Sequence, residues 1–180
     1  EKPDPPAAMQ FSGVGFIELN HGGEVTSVSF HPKNPSVTVA FASASGSTFE
    51  FIDIDTESGG VLGRVRVDER ISHLAHNYCR SQTFLVVAKA SGCIEIWDLD
   101  QYSLCTIHVP MKKEDWRPVI RLCTSPQEQR AFFTKGASVD VIQISRDKSS
   151  AKSMSWKDHG KSKAVSYIEH CPKERRLAVG

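Results

Sequence analysis

Ile94-Glu95-Ile96-Trp97-Asp98-Leu99-Asp100 is the middle copy of a strand signature that occurs three times. It follows Phe49-Glu50-Phe51-Ile52-Asp53-Ile54-Asp55 and precedes Val139-Asp140-Val141-Ile142-Gln143-Ile144-Ser145, the copies starting 45 residues apart. A second series runs ahead of the first. Val25-Thr26-Ser27-Val28-Ser29-Phe30-His31-Pro32 is followed by segments opening at Ile71, Val119 and Val165, with starts 46, 48 and 46 residues apart. Two independent markers of nearly the same spacing point to a repeat architecture.

Each unit holds four short extended runs divided by Gly, Ser, Pro and Asp clusters. The pattern predicts strands over 25–30, 37–44, 48–55 and 61–67, then 71–76, 83–89, 93–99 and 103–109, then 119–124, 130–135, 138–145 and 151–156. No stretch sustains the 3.6-residue apolar rhythm of a long helix. The second run of each unit, such as Val37-Thr38-Val39-Ala40-Phe41-Ala42 or Phe84-Leu85-Val86-Val87-Ala88, is nearly unbroken in apolar or small residues. A strand covered on both faces reads this way. Its Ala and Ser content suggests an inner strand close to a crowded axis, and Leu177-Ala178-Val179-Gly180 reads as part of another such strand. The fold class expected is all-β, a β-propeller of four-stranded antiparallel blades. About three blades (25–67, 71–109, 119–156) and the start of a fourth (164–180) fit the chain.

Asn20-His21-Gly22-Gly23-Glu24-Val25 through Pro32 resembles the opening of a WD40 repeat, and Ile94 through Leu99 resembles its closing motif. The resemblance spans residues 13–180 and implies a degenerate WD40-like β-propeller. That family's stabilising network joins a His before the first strand, a Ser or Thr, a turn Asp and a Trp. Carried over, the resemblance marks His21, Asp53, Trp97 and Asp98 as structural motif residues. The Trp position is Ile52, Trp97 and Ile142 in turn, and Ser45-Gly46-Ser47, Ala90-Ser91-Gly92 and Gly136-Ala137 lack the turn Asp. No unit has all four members. Burial between blades, at about 25 cal/mol per Å², is therefore expected to dominate stability.

Closed propellers need roughly 4–8 blades. At 180 residues the chain is expected to be a portion of a longer one. The remaining blades, or a partner subunit, must cover its open blade faces, because large apolar faces are not left in water. Residues 1–12 read as a Pro-rich linker, and 14–20 as a further strand able to complete a blade. Five cysteines in irregular spacing, with no Cys-x-x-Cys, suit a reduced intracellular chain, cytoplasmic or nuclear. No signal-peptide pattern and no run of 18 apolar residues is present, so no membrane insertion is expected. Net charge is +1, yet residues 1–100 carry 7 basic and 13 acidic residues while 146–180 carry 9 and 4. Opposed sectors of charge could orient a partner. An arbitrary cut through the charge pattern is the simpler reading.

No hydrolase, metalloprotease, phosphate-loop or dinucleotide motif occurs. His73 and His76 lie three apart in an expected strand and so point to opposite faces, which argues against a shared metal. The pairs Asp53/Asp55 and Asp98/Asp100 recur at one place in the repeat, where a strand meets its turn, which argues for turn capping over catalysis. No catalytic residue, cofactor or metal is assigned, and the chain is expected not to be an enzyme. The basic segments Lys157–Lys163 and Lys173–Arg176 could touch phosphates. Few aromatic residues flank them, so a nucleic-acid-associated propeller is the alternative and solvated loops the preferred reading. The loops before each first strand form one rim, from which Glu69, Arg70, Trp116, Arg117, His159 and Lys161 are candidates for partner binding. Trp and Arg are the types enriched in binding hot spots, although Trp116 equally suits a plug folded between blades. The expected function is a non-enzymatic scaffold for protein–protein interactions within a larger intracellular assembly.

Overall fold

The computed structural model describes residues 23–109, 119, 121–125, 129–135, 138–144, 153–157, 168–171 and 176–179. Within them every regular element is a strand. Blade 1 is β1 (Gly23–Phe30), β2 (Ser36–Ser43), β3 (Phe49–Asp55) and β4 (Val61–Val67). Blade 2 is β5 (Ile71–Cys79), β6 (Gln82–Lys89), β7 (Ile94–Asp98) and β8 (Ser103–His108). Blade 3 is β9 (Arg121–Ser125), β10 (Arg130–Lys135), β11 (Ser138–Gln143) and β12 (Ser153–Lys157). The pair β13 (Ile168–Cys171) and β14 (Arg176–Val179) begins a further sheet. Each sheet is an antiparallel meander in sequence order.

The turns follow from their residues. Gly46 and Gly92 adopt φ values of +66° and +87°, the left-handed region a side chain resists, and each closes the β2–β3 or β6–β7 hairpin. The repeat extends to irregularities. Register shifts fall between Val25 and Ser27 in blade 1 and between Ile71 and His73 in blade 2. The skipped residues are Thr26 and Ser72, whose hydroxyls donate to the carbonyls of Ala40 (3.4 Å) and Ala88 (3.0 Å) on the next strand. Each bulge thus spends its extra residue on a cross-strand hydrogen bond.

Successive sheets meet through their first strands: β1 lies beside β5, β5 beside β9, and β9 beside β13. This corrects the expectation that the second strands face the axis. The second strands, β2, β6 and β10, are buried along nearly their whole length. They have a strand on either side and sit inside the stack, so they shed water without lining its inner edge. The same correction applies to Leu177, Ala178 and Val179, which belong to β14, the second strand of its sheet.

The core consists of apolar layers between blades. Ala40 and Phe51 of blade 1 pack with Ile71, Leu74, Leu85, Val87 and Leu99 of blade 2. Phe84, Val86, Ala88, Ile94 and Ile96 of blade 2 pack with Val119, Ala131, Phe133, Ile142 and Ile144. Phe132 and Val139 of blade 3 meet Ile168. Phe51, Phe84 and Phe133, each at most 1% exposed, are the largest fully buried side chains among the described residues.

Candidate functional site

Two networks of buried polar residues lie where blades 1 and 2 join, one at each end of their apolar layer. At one end Lys89, 4% exposed, pairs with both Asp68 and Glu95. Burial pulls the ammonium pKa down, but the two carboxylates outweigh it and hold it above its ordinary value. Glu95 also accepts the Trp97 indole N–H through Oε2 at 3.0 Å. The Trp97 ring packs edge-on against Phe51 of the neighbouring blade, with centroids 5.6 Å apart. Lys135, at the equivalent place in blade 3, donates to the Gly92 carbonyl at 2.8 Å.

At the other end a relay crosses between blades. His76 of β5 approaches Ser29 of β1 through Nδ1 (2.9 Å) and Thr38 of β2 through Nε2 (3.1 Å). Thr38 donates to Asp53 Oδ1 at 3.1 Å, and the Tyr102 hydroxyl donates to Asp53 Oδ2 at 3.1 Å. Burial, and then the Asp53 charge that accepts its proton, push the Tyr102 phenol well above its usual range. The Tyr102 ring lies on Gly63, where an added Cβ would sit 2.1 Å from the ring. Beside the relay, His31, Asn34, Asp53, Asp55, Leu62, Thr83, Leu99 and Asp100 are among the residues around an open cavity of about 260 Å³.

The residues named from the sequence take varied places. Asp53 belongs to the relay, while Asp55 caps its turn by accepting the Glu57 and Ser58 backbone N–H groups and the Ser58 hydroxyl. The Ser58 bonds in particular hold the Asp55 carboxyl below its usual range. Asp98, 1% exposed, accepts the Asp100 N–H at 2.9 Å. Glu69 holds the Ser91 turn, accepting the Ser91 hydroxyl at 2.7 Å. Arg70 reaches Glu24 at 2.7 Å, both side chains exposed. His21, Trp116, Arg117, His159 and Lys161 lie outside the described residues. The sequence reading passed over Thr38, Lys89, Glu95 and Tyr102. One signal was available: Lys89 and Lys135 recur 46 residues apart at the ends of otherwise apolar strands.

Among the described residues no group of three or more His, Cys, Asp or Glu is placed to hold a metal ion. No described helix is long and apolar enough to cross a membrane. Burial raises the Cys93 thiol pKa and pushes Cys123 up to about 12, so both remain thiols at neutral pH.

Four-stranded meanders stacked through their first strands make this chain part of a β-propeller. Solved structures agree on that fold. A Dos1 propeller matches with a TM-score of 0.68 and 13% identity, over 86% of this chain and 38% of the other. Saccharomyces cerevisiae Sqt1 matches at 0.63 and 19%, over 83% and 39%, and U3-55K at 0.63 and 15%, over 82% and 42%. No family model matches the chain. A curated relative, the TSET complex member tstE of Dictyostelium discoideum, is 32% identical over 154 residues. That alignment takes in 83% of this chain but only 11% of the relative, so the chain spans about a tenth of the protein it resembles.

Proposed function

We propose that this chain is part of a WD40-like, non-enzymatic propeller that serves as a protein-binding scaffold in a multi-subunit intracellular assembly of the TSET kind. The observation that carries this reading is the 32% identity to a TSET complex member across most of the chain. The architecture supports it: rigid stacked sheets present variable loops, and such surfaces suit protein partners. In this reading residues 1–12 are a linker and 13–180 are propeller. Further blades, or a partner subunit, cover the open face of blade 1, where Val25, Val28 and Phe30 are exposed.

The proposed contact surface is the rim formed by Glu69, Arg70, Trp116, Arg117, His159 and Lys161. Glu69 and Arg70 then do two jobs, bracing the joint between blades 1 and 2 and presenting its outer surface. Affinity capture with the full-length protein tests the proposal. The expected result is a reproducible set of protein partners, depleted when Trp116 and Arg117 are both changed to Ala. Recovery of no reproducible protein would overturn it. So would capture of nucleic acid alone, with affinity falling steeply between roughly 50 and 200 mM salt.

A further inference from the structure

The hydrogen bonds around His76 admit one arrangement of protons. Asp53 accepts from Thr38, so the single Thr38 proton is committed to that carboxylate. The Thr38 oxygen must then accept from His76, which places the ring proton on Nε2. His76 Nδ1 is left bare and accepts the Ser29 hydroxyl, whose oxygen also accepts the His76 backbone N–H at 3.1 Å. His31, in the β1–β2 turn, is fixed in the same form. Its Nδ1 accepts the backbone N–H groups of Lys33 (3.0 Å) and Asn34 (2.7 Å), so its Nε2 donates to Thr83 of blade 2 at 3.2 Å. The two rings meet edge to face, with centroids 5.4 Å apart. Both are buried, and a proton added to either would displace the donors that hold its Nδ1.

We propose that this pair of neutral histidines is a latch between blades 1 and 2 that acid releases. Charged groups around the pair do not stabilise a protonated His76. Asp53, from β3, reaches the His76 ring only through the Thr38 hydroxyl. Asp53 and Asp100 draw the His31 pKa up, yet burial dominates and holds it below its ordinary value. From β5, Tyr78 packs on His31, and the Lys33 ammonium sits 4.6 Å from the Tyr78 ring centre. Tyr102 is committed to Asp53, and blade 3 contributes Thr124, which binds the His76 carbonyl and not its ring.

Burial, aided by His31, lowers the His76 pKa from 6.5 to about 4. An opened joint, with His76 in water, takes up a proton as pH falls through 6.5, while the closed joint refuses it until near 4. Opening is therefore flat above pH 7 and grows more favourable across that window. For His76 alone, linkage gives roughly a 70-fold rise in the opening equilibrium between about pH 7.5 and 4.5, and His31, also held below its ordinary value in the closed joint, adds in the same direction. At the lower limit Asp68, held below the ordinary carboxylate range by its bond to Lys89, keeps its charge in the closed joint.

Hydrogen exchange of the full-length protein, corrected for intrinsic pH dependence, tests the latch. Opening of residues 36–43 and 71–79 should rise at least about 70-fold over that range, while residues 130–135 of blade 3, whose Phe133 ring meets the partly buried His108, rise by clearly less. In His76→Gln the amide can still bond but cannot titrate. That variant should open more readily at pH 7.5 and lose most of the acid dependence, with His31→Gln losing less. An unchanged acid rise in His76→Gln, or an equal rise in blade 3, would overturn the proposal. If the variant does not fold, exchange of the ring C2 hydrogen in the wild-type protein decides. A slow His76 signal titrating near pH 4 supports the latch, and one titrating near an ordinary 6.5 sinks it.

Discussion

The joint between blades 1 and 2 and the joint between blades 2 and 3 are built from the same repeat but hold by different means. In the first, Ser29, Thr38 and Asp53 stand side by side on three strands, with Ser29 opposite Thr38 and Thr38 opposite Asp53. In the second, the corresponding row is Asn77, Phe84 and Asp98. One exchange, Thr38 for Phe84, replaces the centre of a polar relay with an apolar plug that is 1% exposed. The consequence reaches the first strand. Ser29 makes two contacts with His76, whereas the fully buried Asn77 amide meets no hydrogen-bond partner among the described residues. The lesson is that a repeat fixes the geometry of stacking while a single central residue decides whether a joint is polar and ordered or apolar and tolerant.

The largest effect should come from removing one member of the buried charge group at the first joint. Lys89→Met leaves Glu95, 4% exposed, without its cation. Stranding a buried charge costs about 3–5 kcal/mol. Replacing both together, Lys89→Met with Glu95→Leu, should recover most of that loss, because the desolvation penalty goes with the charges. Urea unfolding of the single and double variants measures the difference. A double variant as unstable as the single one would mean that the pair contributes through shape and not through charge.

Next in size is Gly63→Ala. The new Cβ would lie within 2.1 Å of the Tyr102 ring, so the ring must move and its bond to Asp53 must break. Overpacking of this kind costs about 1–3 kcal/mol. Tyr102→Phe keeps the ring and removes only the hydroxyl, so it should cost about 1 kcal/mol. If Tyr102→Phe proves as damaging as Gly63→Ala, the hydrogen bond and not the packing governs this end of the joint.

The fold was legible because the interval between Phe49, Ile94 and Val139 is a property of the chain alone. Strand limits followed closely: the runs expected at 61–67 and 130–135 are β4 and β10 as observed. The inner edge was not legible. A strand at the centre of a blade and a strand near the axis both lose water on both faces, and both then read as unbroken apolar runs. The relay was hidden for a different reason. Thr38 sits inside Val37-Thr38-Val39, where a Thr passes for ordinary strand filler, and His76 is 38 residues away. Their meeting is decided by how blades stack, and spacing within a repeat carries no trace of it. A continuous apolar layer from Phe84 to Ile144 fills the second joint, and an apolar layer from Ala40 to Leu99 fills the middle of the first. Whether burial outweighs polar bonding at either joint is what the unfolding of the Lys89 and Asn77 variants tests.

Asn77 sharpens the contrast between the joints. Replacing it with Leu removes an amide whose oxygen and nitrogen are both buried without partners among the described residues. A buried polar group left unsatisfied costs about 1–3 kcal/mol, so Asn77→Leu should be neutral or stabilising where the larger shape is accommodated. Ser29→Ala, at the matching place in the first joint, removes a working hydrogen bond and should cost about 1 kcal/mol. A loss at Ser29 with no loss at Asn77 is the result the comparison requires, and thermal unfolding of the two variants would show it. Equal losses would mean that Asn77 has its own partner in the assembled protein.

The smallest effect belongs to the exposed tie across the first joint, Arg70 to Glu24 at 2.7 Å. Both side chains are open to solvent, so water and salt screen the attraction, and ordering two long side chains offsets part of it. Pairs of this kind contribute at most about 1 kcal/mol. Arg70→Ala should therefore shift stability by less than Tyr102→Phe does, and raised salt should erase even that difference. The same variant separates bracing from binding. A partner that docks on this rim would lose affinity when Arg70 is removed although the fold is unharmed. Stability unchanged and partner capture reduced would assign Arg70 to the contact surface. A loss of stability beyond Tyr102→Phe would assign it to the joint, and would show that the polar character of that joint extends to its solvent edge.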